Sequence, residues 1–121
     1  LEVNRLTRQN FVEIKPKIGQ FQYTSLSYAV FEDLPTYEIL RNNGEAILIR
    51  CENPGALMRE LHFAVNDPQL VIEAAAALPA PVLVTFVPTE HKRLFLENGF
   101  EVYGEMQDYW VEGFWLRYEQ N

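Results

Sequence analysis

A chain of 121 residues with a formal charge of −7 is long enough for one hydrophobic core and too short for two. Its acidity argues against nonspecific nucleic-acid binding, which needs a basic face to neutralise phosphates. No apolar run reaches the roughly 18 residues of a membrane-crossing helix. The single cysteine, Cys51, leaves no internal disulfide and no cysteine-based metal site, and it suits a reducing cytoplasm. His62 and His91 have no partners at ligand spacing, so no metal site is expected. Beginning at Leu1 without Met, the chain reads as a piece of a longer protein.

Leu1 to Arg5 alternates in part and predicts an opening strand. Thr7 is a good helix N-cap, because its hydroxyl can accept from a free N–H of the first turn. Phe11, Ile14 and Ile18 would then share one helical face. Pro16 lacks an N–H and crowds the carbonyl four residues back, so two short helical pieces are expected instead of one helix. A second amphipathic piece runs from Ser25 to Phe31 and ends at Asp33-Leu34-Pro35.

Strand signals follow. Thr36 to Arg41 and Glu45 to Glu52 flank Asn42-Asn43-Gly44, a hairpin signal because Asn and Gly tolerate positive φ. Asn53-Pro54-Gly55 leads to a third strand, Leu57 to Val65, completing an antiparallel meander. Asp67-Pro68 opens a helix through Leu78. The nearly all-apolar stretch Pro81 to Val87 reads as a central strand. Thr89 can cap the next helix, Leu94, Phe95 and Leu96 supply its buried contacts, and Gly99 suits its left-handed end. Glu101 to Val111 and Phe114 to Glu119 would pair across Glu112-Gly113. The expected architecture is α+β, a single domain over 1–121 with a helical part at 6–34, a meander at 36–65, and β-α-β plus a terminal hairpin at 81–119.

The block Leu94-Phe95-Leu96-Glu97-Asn98-Gly99-Phe100, set between a strand and a strand pair, resembles the C-terminal half of the GNAT acetyltransferases. With the preceding elements, the order is similar to that family over nearly the whole chain. The resemblance implies a mixed, mostly antiparallel sheet with helices on both faces. It also implies acetyl-CoA as the family's cofactor, held where two central strands splay, here Leu61 to Val65 and Val82 to Val87. The backbone groups of Phe63, Ala64 and Val65 would then be the ones to pair with the pantetheine arm.

Two family features are absent. The pyrophosphate loop, Gln/Arg-x-x-Gly-x-Gly/Ala, is replaced by Asn66-Asp67-Pro68-Gln69, and no Gly occurs from Ala56 to Asn98. Pro68 removes an N–H, and Asp67 puts a carboxylate where an anion should sit, which argues against CoA binding by this chain. The family's leaving-group acid is a Tyr four residues before the Gly, and that position is Phe95. Glu45, Glu52 and Glu60 occupy the meander region where the family places a general base, although a solvated carboxylate explains each as well. Tyr103 or Tyr109 could replace the missing acid. His62 reads as a hydrogen-bonded structural residue and His91 as an exposed one.

Tyr103, Tyr109, Trp110, Phe114, Trp115 and Tyr118 crowd the terminal hairpin, and neighbours in a strand point to opposite faces. The surplus aromatic surface suggests an interface with a second GNAT domain or a homodimer partner. The expectation is the noncatalytic half of a two-domain acetyl-CoA-dependent N-acetyltransferase. The alternatives are a self-contained enzyme with a divergent CoA loop, or a noncatalytic ligand- or protein-binding module.

Overall fold

The computed structural model describes residues 4–26, 34–51, 58–77, 82–107 and 112–119, with backbone alone at 35, 58–59, 82–88, 103–107 and 112–119. Among the described residues the elements run α1 (Arg8–Ile18), β1 (Tyr23–Thr24), β2 (Tyr37–Asn42), β3 (Ala46–Cys51), β4 (Met58–Val65), α2 (Gln69–Ala77), β5 (Val82–Pro88), α3 (Lys92–Glu97), β6 (Glu101–Gln107) and β7 (Glu112–Glu119). The strands form one sheet in the order β2-β3-β4-β5-β7-β6, with β1 attached to β4 off that path. Among the described residues only the β4–β5 pairing is parallel. The fold is α+β with a mixed, mostly antiparallel sheet.

Strand alternation divides the core between two faces. Ala46, Leu48, Leu61, Phe63 and Val65 pack with Val71 and Ala75 of α2, Phe95 of α3, and Phe100. On the opposite face Ile47, Ile49 and Ala64 pack with Ile14 and Ile18 of α1, together with Leu6, Leu26 and Tyr37. Helices therefore cover both faces. Burying both sides of the sheet explains why β3 reads as a nearly continuous apolar run. One charged pair interrupts the α2 face: Glu38 and Arg50, directly opposite in β2 and β3, meet at 3.0 Å with little solvent exposure.

Helix α1 starts as expected at Thr7. The Thr7 hydroxyl accepts from the Asn10 N–H, and the Asn10 side chain accepts from the Thr7 N–H, a reciprocal cap. It does not break at Pro16, contrary to the two-piece expectation; Pro16 lies inside one helix of 11 residues. Both Pro16 and Val12, whose carbonyl loses its partner, face solvent, so water can replace the missing bond, and the helix ends two residues later. The 6–34 part is not wholly helical either, because it contains strand β1. Ser25 and Leu26 of the second expected helical piece are buried; its remainder lies outside the described residues.

The Asn42–Gly44 hairpin is present, but for a different reason from the one expected. Among the described residues only Gly99 has a positive φ. The turn is instead closed by the Asn43 side chain, whose Oδ1 accepts from the N–H groups of Glu45 and Ala46 at 2.9 and 3.0 Å. A 3-10 turn at Thr89–His91 precedes α3, and His91, not Thr89, is its N-cap residue.

The end of α3 explains why Leu94 to Phe100 has its sequence. Gly99 has φ 94°, the Phe100 N–H bonds the Phe95 carbonyl, and the Gly99 N–H bonds the Leu96 carbonyl. These are the two bonds of a Schellman closure, which favours Gly at the left-handed position. The apolar contact that accompanies it is Phe95 against Phe100, edge to face at 5.6 Å. Of the three expected contacts Phe95 is fully buried and Leu94 half-buried, while Leu96 faces solvent. The terminal hairpin turns earlier in the chain than the expected Glu112-Gly113: β6 ends at Gln107, which pairs with Glu112, and Glu112 and Gly113 belong to β7. No helix among the described residues is long and apolar enough to cross a membrane.

Candidate functional site: the cleft between β4 and β5

The parallel pairing of β4 with β5 is short. Met58–Glu60 lie beside Val82–Val84, and the two strands do not pair beyond that. β5 continues against β7 as far as Pro88. The edge of β4 past Glu60 turns to another partner, so the strands diverge where the splay between Leu61–Val65 and Val82–Val87 is expected.

The partner is the chain's own segment 22–25. Tyr23 pairs with Val65 and Thr24 with Ala64 in antiparallel register. The Ser25 N–H donates to the Phe63 carbonyl at 2.9 Å, and the Phe63 N–H donates to the Ser25 hydroxyl at 2.9 Å. Thr24 Oγ1 donates to the same carbonyl at 3.1 Å and accepts from the Leu26 N–H at 3.0 Å. At the other end, the Gln22 N–H donates to Asn66 Oδ1 at 2.9 Å. Residues 22–25 thus run antiparallel along residues 66–63. β3 occupies the other edge, from Ala46↔Val65 to Arg50↔Leu61. Phe63, Ala64 and Val65 are flanked on both sides. Tyr23 also reaches across to His91, just beyond β5, with the rings edge to face at 5.0 Å. His91 is accordingly half-buried and is not simply exposed.

The start of α2 is equally occupied. The Gln69 N–H bonds the Asp67 carboxylate at 3.0 Å. The Leu70 N–H bonds the Asp67 carbonyl, and the N–H groups of Val71 and Ile72 bond the Pro68 carbonyl. The four N–H groups that a helix start could offer to an anion are all used within the turn, and a carboxylate already holds the position.

The other expected residues are dispersed. Glu45 follows the β2–β3 turn, exposed, and pairs with Arg41 at 2.7 Å. Tyr103 falls at the register shift of β6 between Val102 and Gly104, on the far edge of the sheet. Four strand steps separate β3 from β6, about 20 Å at ordinary strand spacing, so Glu45 and Tyr103 share no site. Glu52, Tyr109 and Trp110, and the side chains of Tyr103, Phe114, Trp115 and Tyr118, lie outside the described residues. Phe95 is fully buried between Phe63, at 4.9 Å, and Phe100. It serves the core.

Glu60 and His62 meet on the α1 face where β4 leaves β5, with His62 Nε2 3.5 Å from Glu60 Oε2. The hydrogen bond to His62, reinforced by its charge, holds the Glu60 carboxyl below its ordinary value although burial opposes this. The His62 ring is buried and lies 6.1 Å from that of Tyr37. Among the described residues no cluster of His, Cys, Asp and Glu could hold a metal ion. Sequence reasoning missed segment 22–25. The available signal was the strand propensity of Tyr23-Thr24, too short to show a period.

Compared with protein-family models and with curated proteins, the chain matches none.

Proposed function

We propose that this chain is a noncatalytic GNAT-like domain, one half of a two-domain acetyl-CoA-dependent N-acetyltransferase. It supports the catalytic half and helps shape its substrate cleft without holding acetyl-CoA itself. The observation that carries this reading is the self-occupied cleft: Ser25 engages both backbone groups of Phe63, on the strand edge a pantetheine arm would need. The capped start of α2 and the buried Phe95 support it from the pyrophosphate and leaving-group ends. The surface offered to the second domain is the terminal hairpin, where Val102 of β6 and nearby Leu96 of α3 are exposed apolar side chains. A reducing cytoplasm suits a chain with a single cysteine, Cys51.

Isothermal titration with acetyl-CoA tests the reading. No heat of binding is expected up to millimolar ligand. Micromolar binding by the isolated chain would instead support a self-contained enzyme.

A further inference from the structure

The segment that fills the cleft is built as a strap between two anchors. At one end Ile18 closes α1, and at the other Leu26 is buried; both belong to the α1-face core. Between them Gly19, Gln20 and Gln22 are exposed, and Phe21, Tyr23 and Thr24 are half-buried. Ser25 is the exception, buried against Phe63. The strap is held to β4 by a two-residue strand pairing, by the two-way Ser25–Phe63 exchange, and by Gln22 on Asn66. The rest of the sheet does not depend on it: β3 and β4 pair through five consecutive positions, and both core faces are packed by the helices.

We propose that residues 22–25 open as one local unit while the sheet stays folded, so that the strap is a built-in gate on the edge of β4. Of residues 22–25, Tyr23 packs on the α2-face core and the rest of the attachment is hydrogen bonding; local opening of this kind is expected where a segment is held mainly by hydrogen bonds and its neighbours are independently stable. Opening bares the Phe63 and Val65 positions of β4 and parts Tyr23 from His91. Ile18 and Leu26 keep the strap tethered, so closing is intramolecular and fast.

Amide hydrogen exchange on Asn66→Ala tests this without any cofactor, so its outcome is independent of the acetyltransferase reading. The substitution removes only the acceptor for Gln22 at the far end of the strap. If the strap opens as a unit, the amides of Ser25 and Phe63 speed up together by about tenfold, since loss of one neutral hydrogen bond is worth a little over 1 kcal/mol. His62 and Ala64, whose N–H groups face β3 by the alternation that points Phe63 at Ser25, keep their rates. Unchanged rates at Ser25 and Phe63 would overturn the proposal, because the bonds would then break independently. Equal acceleration of His62 and Ala64 would also overturn it, because opening would then be unfolding.

Discussion

Ser25 and Phe63 exchange two hydrogen bonds, one to the Ser25 backbone and one to its side chain, although 38 positions separate them. A strand neighbour would normally accept the Phe63 N–H with a carbonyl. Here a hydroxyl does so, where a short segment leaves the ladder and turns into the core at Leu26. Ser25→Ala should cost about 1–3 kcal/mol, because a buried N–H then loses its acceptor. Urea denaturation should show a lower midpoint with an unchanged slope, as expected for a stability change alone.

Restoring a hydroxyl at the expected acid position should not restore chemistry. In Phe95→Tyr the new hydroxyl must fit where the ring is fully buried against Phe63 and Phe100. A buried hydroxyl without a partner destabilises by about 1–3 kcal/mol. The variant should melt at a lower temperature and show no acetyl transfer from acetyl-CoA to amines; gain of turnover would count against the noncatalytic reading.

The Glu60–His62 contact gives stability an acid limb. The folded carboxyl sits below its ordinary value near 4.5, so below that value the unfolded chain binds the proton more readily than the folded one. The resulting stabilisation is fully present above about pH 4.5 and is lost as pH falls through the lower folded value. The stability difference between wild type and Glu60→Gln should therefore shrink as pH falls below about 4.5. Chemical denaturation across pH 3 to 7 checks the sign; a difference that grows in acid would show that His62 does not stabilise the carboxylate.

Much of the fold is legible in the sequence because its signals are local. Asn43 and Gly99 mark their turns, Thr7 its cap, and the apolar runs of β3 and β4 their burial. Misreadings arise where a local rule meets a tolerant setting, as with Pro16 on the solvent side of α1, or where register decides, as with Gln107 opposite Glu112. The strap is the larger omission. Its partners Phe63 and Asn66 lie some forty positions away, and a two-residue strand has no period to read. The absences at Asp67-Pro68 and Phe95 were visible in the sequence, whereas the occupant of the remaining strand edge was not.

The most direct test follows the amides of Ser25, Phe63 and Val65 by two-dimensional NMR while acetyl-CoA is added to the intact chain. Because segment 22–25 already occupies that edge of β4, the three signals should stay in place up to millimolar ligand. Saturable shifts of Phe63 and Val65, with release of Ser25, would show that the cofactor displaces the strap and would contradict the noncatalytic reading.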